Sequence, residues 1–443
     1  MGYMKRSLEK VIMEACHEYQ AIIVTGPRQV GKTTMLQKLM EGTNRTYVTL
    51  DDLNERALAQ SDPEMFFQMH KPPILIDEVQ YAPQLFPYIK LHADRDQRYG
   101  DFWLTGSQAF KLMKLAGESL AGRACILHMS TMSQGEIYGQ DENKPFTLDL
   151  NELQRKVSCR NAADTPEMFE RIFKGSMPAI VSGRITNRNL FYSSYLQTYI
   201  QRDIRELDGT IEAVEFLRFI TAVACRTGQM VNYADIGNDM DGMRSEKVQE
   251  WLGLLEKSDI IFYLHPYSNN LLKRTVSKPK LYFYDTGLVA YLTKWSSPET
   301  LEAGAINGAI LENFTVAEIV KTYFNAGEEP HLYYYRDNDA KEIDIVLETD
   351  GQLHPMEIKK TSNPGTQLTR PFKLLDKGSV PRGKGAILCM KNELTAIDSE
   401  NFIVTISFPS ALAASTEQER TGFLFIHTVQ SPQLDVSHPR FTL

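Results

Sequence analysis

Cysteine is scarce in this sequence of 443 residues, and the five cysteines follow no pattern. They stand far apart along the chain, and no two of them form a C-x-x-C pair. An odd number of dispersed thiols is typical neither of a disulfide framework nor of a zinc site. We therefore expect a protein of a reducing compartment, the cytoplasm.

Long uncharged apolar runs are also missing. The N-terminal segment mixes charges into its apolar positions, which is unlike the apolar core of a signal peptide. Nowhere does an uncharged apolar run approach the roughly 18 residues of a membrane span. We expect no membrane partner for this chain.

The chain has no excess of positive charge, since 48 lysines and arginines stand against 56 acidic residues, a net charge of -8. A molecule of this charge does not attract phosphate backbones as a whole, so contact with nucleic acid requires a local basic patch. Its length exceeds what one hydrophobic core usually supports, which predicts two or three domains.

What the sequence does contain is a complete G-x-x-x-x-G-K-[ST] motif at residues 26–33, between an apolar run and a helical stretch. The glycines let backbone N–H groups face a phosphate, and the helix that follows adds partial positive charge. We expect Lys32 to reach the β and γ phosphates of ATP and Thr33 to bind Mg²⁺. The predicted nucleotide-binding residues are Gly26, Pro27, Arg28, Gln29, Val30, Gly31, Lys32, Thr33 and Thr34.

A second half of this site is predicted where the apolar run 74–76 ends in Asp77 and Glu78. Asp77 would hold Mg²⁺, and Glu78 would polarise the attacking water. Paired acids at a strand end are often only solvated caps, but the complete phosphate-binding motif upstream favours the catalytic interpretation.

Five side chains are candidates for contact with the γ-phosphate, the attacking water or the charge of the transition state. Ser107 follows the next apolar strand, and Thr105 is its alternative. Arg123 is a candidate to neutralise transition-state charge, in its own subunit or in a neighbour's, and Arg28 and Arg202 compete for that role. A surface salt bridge is an equally good interpretation of each arginine.

Apolar strands alternate with helical stretches up to a polar segment near residue 141, which predicts a parallel α/β sheet of the P-loop type over residues 1–160. Residues 161–208 are interpreted as a helical lid or connector. Residues 209–295 show three helices and two strands, the order of a winged helix. Residues 296–443 form a second α/β unit.

The C-terminal unit carries a second pattern of charged residues. Asp344 lies in an alternating strand, and Glu357 and Lys359 point the same way on the next strand. This D-x(n)-E-x-K arrangement is typical of restriction-endonuclease-like folds, in which two acids hold a metal ion against a phosphodiester. Glu312, in the preceding helix, could supply an additional acid. The alternative is a degenerate fold that serves only as a binding platform.

Residues 352–391 contain eight lysines and arginines against two acids. Such a basic stretch is a local patch for DNA or a surface for an acidic protein. The predicted recognition helix from Ser245 carries several acids, so the turn from Lys273 to Lys280 is the better DNA contact. Packing of the winged helix against the nucleotide site is the interpretation we favour.

Several segments together identify a resemblance: GPRQVGKTTML, LIDEVQYAP, LTGSQ, SLAGR, YIQRDI, YDTGLVAYL, ILENF, EIDIVLE and MEIKK. The chain resembles bacterial and archaeal AAA+ ATPases whose C-terminal region is labelled a domain of unknown function. That resemblance implies an ATPase core, a winged-helix middle and a restriction-endonuclease-like end of the PD-(D/E)xK type. AAA+ rings place an arginine at the neighbour's site, so an oligomer is an open alternative to a monomer.

These observations lead to two functional hypotheses. The first is an ATP- and Mg²⁺-dependent ATPase whose nucleotide state repositions the winged-helix and nuclease-like modules on DNA. The second is an ATP-dependent regulatory switch that uses an inactive nuclease fold to hold a protein partner.

Overall fold

The computed structural model describes residues 2–107, 109–139, 143–158, 163–199, 212–269, 274, 278–337 and 339–406. The chain begins with a five-stranded parallel sheet of order β2-β3-β4-β1-β5. The strands are β1 (Ala21–Thr25), β2 (Thr46–Thr49), β3 (Ile74–Asp77), β4 (Phe102–Thr105) and β5 (Ala124–His128). Helices surround it at Leu8–Ala15, Lys32–Met40, Leu53–Ser61, Pro63–Met69, Leu85–Asp96, Ala109–Ser119 and Gln134–Ile137, with a 3₁₀ turn at Val79–Tyr81.

Both faces of this sheet are covered, as the continuous apolar runs predict for a parallel sheet. In β1, Ile22 and Val24 belong to the core that includes the first helix, whereas Ala21 and Ile23 belong to the core on the other face. The predicted parallel α/β architecture is confirmed. We call residues 2–139 the N-terminal domain.

The middle of the chain is helical and ends in an antiparallel hairpin. Its helices span Leu150–Ser158, Thr165–Lys174, Pro178–Val181, Arg188–Tyr199, Ala213–Ala224, Tyr233–Asp239 and Ser245–Lys257. The hairpin consists of β6 (Ile261–Pro266) and β7 (Lys280–Phe283). The order of three helices and a hairpin is the one predicted for residues 209–295.

The remaining elements build an eight-stranded sheet of order β12-β13-β11-β10-β9-β8-β6-β7. Its strands are β8 (Leu332–Arg336), β9 (Glu342–Thr349), β10 (Gln352–Lys359), β11 (Gly385–Cys389), β12 (Thr395–Ala396) and β13 (Asn401–Thr405). Helices lie at Thr286–Leu292, Pro298–Ala303 and Asn307–Asn325, and a 3₁₀ helix lies at Thr366–Lys377.

The hairpin is part of this sheet, because β6 pairs in parallel with β8 through His265 and Pro266. One hydrophobic core also runs from Phe146 to Ile406. The boundary predicted after residue 295 therefore separates two stretches of sequence that share one sheet and one core. We call residues 143–406 the C-terminal unit.

The segment that follows β5 joins the two parts. The Gln134 N–H donates to Glu318 Oε2 at 2.8 Å, and the Thr131 hydroxyl donates to the Tyr284 carbonyl at 3.2 Å. The Lys321 ammonium donates to the Met132 carbonyl at 3.2 Å. Glu318 and Lys321 are buried on the helix Asn307–Asn325, so this helix fixes the end of β5 in place.

A buried ion pair fixes the phosphate-binding loop from the other side. The Arg6 guanidinium contacts Glu136 at 2.8 Å and donates to the carbonyls of Val30 at 2.7 Å and Ser130 at 2.9 Å. Burial alone would raise the pKa of Glu136, but Arg6 and backbone N–H donors outweigh burial and lower that pKa.

Among the described residues, no helix combines the length and the apolarity that a membrane span requires.

We predict that Arg6→Met lowers the free energy of unfolding by about 3–5 kcal/mol, because it leaves the Glu136 carboxylate buried without its cation. Chemical denaturation at pH 7 measures this difference. Since the pKa of Glu136 is lowered in the folded state, the stabilisation is present at neutral pH and lost in acid. The difference between wild type and variant should therefore shrink below about pH 4. The double variant Arg6→Met/Glu136→Leu is the control and should recover part of the loss; a double variant less stable than Arg6→Met would contradict this account.

Candidate functional site

The phosphate-binding loop lies between β1 and the helix Lys32–Met40, at the carboxyl edge of the N-terminal sheet. Gly26 has φ of 133°, and a Cβ there would overlap the carbonyl oxygen of Met129. Gly31 has φ of 94° and caps the helix. Both positions need glycine, which leaves the loop curled with the helix N-terminus at its mouth.

Lys32 is buried, and its ammonium donates to the carbonyls of Gly26 and Pro27, both at 2.8 Å. Burial lowers the pKa of Lys32 to about 8, and the charge of Glu78 opposes that shift. Two carbonyls provide weaker partners for an ammonium than phosphate oxygens do. The lysine is therefore placed to exchange them for a bound polyphosphate.

Thr33 and Asp77 meet directly, because the Thr33 hydroxyl donates to Asp77 Oδ1 at 2.8 Å. Tyr47 and Thr49 donate to the other carboxylate oxygen at 3.3 and 3.4 Å. Burial raises the pKa of Asp77, and the bond from Thr33 opposes this shift. A hydroxyl and a carboxylate at hydrogen-bond distance, beside a phosphate loop, are the oxygen ligands that fit Mg²⁺.

Glu78 follows β3 in a left-handed conformation, with φ of 55°. One carboxylate oxygen, Oε2, accepts bonds from the Ser107 N–H and hydroxyl, both at 3.3 Å, and from the Gln80 amide. Of the two hydroxyl candidates, the contact to Glu78 comes from Ser107, at the end of β4. The role of Gln80 was not predicted, although its position two residues after Glu78 indicates that the two side chains could meet.

The three candidate arginines have different positions. Arg123 precedes β5 and pairs with Asp94 at the edge of the sheet opposite the phosphate-binding loop. It does not reach the phosphate site of its own subunit, because the length of a parallel strand separates the two edges. Its predicted role at a neighbour's site stays a prediction. Arg28 lies in the loop, and Arg202 lies outside the described residues.

Two residues that the sequence analysis missed lie beside Lys32. Asp259, at the end of the helix Ser245–Lys257, has its Oδ1 4.0 Å from Nδ1 of His128, the last residue of β5. Asp259 Oδ2 and His128 Nε2 are buried without a hydrogen-bond partner. Burial raises the pKa of Asp259, and the charges of His128 and Lys32 oppose this. No sequence motif indicates Asp259 or His128, because they come together only when the segment after the helix Ser245–Lys257 packs against β5.

A second group of charged residues lies in the C-terminal unit. The Lys359 ammonium is 2.7 Å from Glu357 Oε1 and 3.6 Å from Asp344 Oδ2, so the three predicted residues converge. Between the pairs Tyr333–Val346 and Tyr335–Ile343, strand β9 contains one extra residue. Such a bulge redirects side chains, and this one lies at Asp344.

Glu312 joins this group through the hairpin. The Lys280 ammonium is 2.9 Å from Glu312 and 2.6 Å from Glu342, and the Tyr282 hydroxyl donates to Glu312 at 2.7 Å. The prediction that Lys280 contacts DNA is corrected, because its side chain is buried in these two ion pairs. We call this group the acidic site; its members are Lys280, Glu312, Glu342, Asp344, Glu357 and Lys359.

The carboxylates of the acidic site influence one another. Burial, and then the charge of Asp344, raise the pKa of Glu357 to about 7. The same two causes raise the pKa of Glu312. Across the described part of the chain, no three His, Cys, Asp or Glu side chains are arranged to hold a metal ion. The Lys359 ammonium contacts Asp344 and Glu357, the two acids that would have to bind a metal ion.

Comparison with known proteins agrees with the nucleotide site. Residues 18–138 match a family model described as an AAA domain. Residues 165–299 and 307–409 match two models that are each described as a domain of unknown function, DUF8612 and DUF4143. The match spans both halves of the nucleotide site. The N-terminal domain is therefore similar to AAA domains, and this similarity supports nucleotide binding.

Relatives and solved structures extend over more of the chain. The uncharacterized proteins Mb2031c of Mycobacterium bovis and Rv2008c of Mycobacterium tuberculosis are each 27% identical over 374 residues, which cover 84% of this chain and 77% of each relative. The Walker-type ATPase paby2304 of Pyrococcus abyssi is 14% identical, with a TM-score of 0.40, and covers 66% of this chain and 96% of that one. The Thermotoga maritima RuvB Holliday junction branch migration motor is 15% identical, with a TM-score of 0.29 and coverages of 58% and 88%.

We predict that Asp259→Asn tightens ATP binding about fivefold at low salt, because it removes a negative charge that repels the phosphates near Lys32. Titration of the full-length protein with a fluorescent ATP analogue in Mg²⁺ measures the effect. Asp241→Asn, at an exposed position, is the matched control. An affinity that is unchanged or weaker in Asp259→Asn would show that the carboxylate does not oppose the nucleotide.

Proposed function

We propose that this protein hydrolyses ATP with Mg²⁺ and uses the nucleotide state to control its C-terminal unit. The observation that carries the hydrolytic role is the pairing of Glu78 with Ser107, beside the pairing of Thr33 with Asp77. Mg²⁺ would bind Thr33 and Asp77 and neutralise the phosphates. Glu78 is then free to orient a water, and Ser107 holds the carboxylate that does so.

The route of control is the contact between the nucleotide site and the C-terminal unit. Asp259 and the helix Asn307–Asn325 contact β5 and the segment after it, while Lys32 lies close enough to Asp259 for their charges to interact. Phosphates entering beside Lys32 bring negative charge toward Asp259. This repulsion provides the differential interaction that a nucleotide-driven change requires.

For the acidic site we propose metal-dependent cleavage of DNA. The order of elements supports this proposal, because a helix, three strands, a helical segment and a further strand are what we expect of a restriction-endonuclease-like core. Asp344 and Glu357 would bind the metal ion, and Glu312 would supply an additional acid. Lys359, which is an ammonium beside two carboxylates, would stabilise the attacking water rather than deprotonate it. The hairpin that contributes Lys280 would be the wing of a winged helix.

One observation favours the second candidate function, a regulatory switch with an inactive nuclease fold. Lys280 and Lys359 each already pair with two of the four carboxylates of the acidic site. A cation held in this way competes with a metal ion, and the fold then serves to bind a protein partner. Under both functions we place the protein in the cytoplasm, and Arg123 would act on a neighbouring subunit if the chain assembles into a ring.

We predict that Lys32→Ala abolishes ATP turnover and weakens ATP binding, because the phosphates lose their buried cation. Glu78→Gln should retain binding while kcat falls roughly 10²- to 10⁴-fold, since only the orientation of water is lost. Release of phosphate and equilibrium binding of ATP are measured on each variant. Glu64→Gln is the matched control. Normal turnover by Lys32→Ala would contradict the assignment of this site.

We predict Mn²⁺- or Mg²⁺-dependent cleavage of linear DNA that Asp344→Ala abolishes. Cleavage should increase between pH 6 and 8, because Glu357 has its pKa raised to about 7 and binds metal only after losing its proton. Asp350→Asn, at an exposed position directly after the same strand, is the matched control. Absence of cleavage with every nucleotide and metal, by wild-type protein that hydrolyses ATP, would instead support the switch.

A further inference from the structure

A cleft of about 750 Å³ opens at the end of β6, next to the last residues of β8. At this point β6 ends at Pro266, and its pairing with β8 goes no further than Tyr334. Within the described residues, no strand pairs with Tyr335 and Arg336 on that side. The helical segment Thr366–Lys377 supplies the opposite wall.

The cleft is positively charged although the protein is acidic. Its lining includes three exposed cations, Lys278, Arg336 and Lys377, and a single acid, Asp337. Two more cations, Arg370 and Lys373, are exposed on the same helical segment as Lys377. Charges arranged in this way suit a polyanion that follows the wall of the cleft.

Much of the remaining basic stretch serves other partners. Lys359 belongs to the acidic site, Lys360 lies 3.5 Å from Glu302, and Arg382 pairs with Asp376 and Glu400 at 2.7 Å. The local positive charge that faces the solvent is therefore concentrated on the helical segment beside the cleft.

An aromatic ring accompanies these cations. The Tyr335 side chain lines the cleft, and it is half-buried because part of it packs against the small core that includes Tyr267 and Phe372. Its neighbour Tyr267 is buried under the Arg274 guanidinium, which lies 4.3 Å from the ring centroid. One accessible tyrosine among lysines and arginines is the combination that stacks an unpaired base and contacts the adjacent phosphates.

The cleft is connected to the acidic site. Arg336 pairs with Glu342 at 3.2 Å, and Glu342 pairs in turn with Lys280 at 2.6 Å. A chain of nucleotides bound to Arg336 would thus lie next to Glu342, which is a member of the acidic site. A duplex fits this geometry poorly, because its grooves are read by protruding elements, and stacked bases present no face to a tyrosine.

From these observations we infer that the cleft binds a single-stranded segment of nucleic acid, with a base on Tyr335 and phosphates on Lys278, Arg336 and Lys377. The inference rests on the proposed action on DNA and narrows it to a strand that is unpaired where it meets the protein. Binding of a single strand in the cleft requires neither ATP hydrolysis nor cleavage of the strand.

Fluorescence anisotropy of the full-length protein tests this inference, in EDTA and without nucleotide so that neither catalytic site acts. The probes are labelled dT₁₂, rU₁₂ and a 12-base-pair duplex. Tyr335→Leu should weaken binding of dT₁₂ by about tenfold or more through loss of stacking. Lys278→Gln/Lys377→Gln should also weaken it and reduce the slope of log K against log salt by about 0.7 per lost contact. Lys384→Gln, at an exposed lysine of the same basic stretch outside the cleft, is the matched control.

Tighter binding of dT₁₂ or rU₁₂ than of duplex, lost in both cleft variants and kept in Lys384→Gln, supports the inference, and the stronger of the two single strands identifies the sugar. Equal or tighter binding of the duplex, binding of no probe, or single-strand binding that the cleft variants leave unchanged overturns it. Cleavage assays distinguish this inference from the proposed nuclease activity. If wild-type protein binds dT₁₂ in the cleft but cleaves no DNA, the nuclease proposal is contradicted while single-strand binding in the cleft is still supported.

Discussion

The burial of the helix Asn307–Asn325 is the constraint on which the arrangement of both sites depends. On one side Glu318 and Lys321 hold the segment after β5, and therefore the edge of the sheet where the phosphate-binding loop lies. At its other end Glu312 faces the hairpin and the strands of the acidic site. One rigid element thus contacts the surroundings of both sites, and a shift of the helix relative to β5 would be felt at each.

Charge is used in opposite ways at the two sites. Around Lys32 the chain places a buried cation beside loop carbonyls and a nearby carboxylate, which leaves room for the charge of a polyphosphate. In the acidic site, Lys280 and Lys359 already pair with the carboxylates, so a metal ion would have to displace them. The net charge of -8 is the sum over these environments and the basic cleft, so it does not describe any one of them.

The local motifs could be predicted from the sequence because the residues that work together in each motif are also close together in the sequence. The phosphate-binding loop, Asp77 with Glu78, and the pair of Glu357 with Lys359 each lie within a few positions. Residues such as Asp259, His128 and Lys280 could not be predicted, because the pairing of distant strands and helices determines their surroundings. Arg123 shows the same limit, since only the direction of β5 reveals which edge of the sheet it occupies.

The central claim is that nucleotide entering beside Lys32 changes the contact between β5 and the C-terminal unit. Hydrogen exchange of full-length Glu78→Gln, with and without Mg²⁺ and ATP, tests it most directly. The account predicts slower exchange of the backbone amides at residues 26–33 and faster exchange at residues 256–262, where Asp259 is repelled. Slower exchange at residues 26–33 with no change at residues 256–262 would contradict the claim.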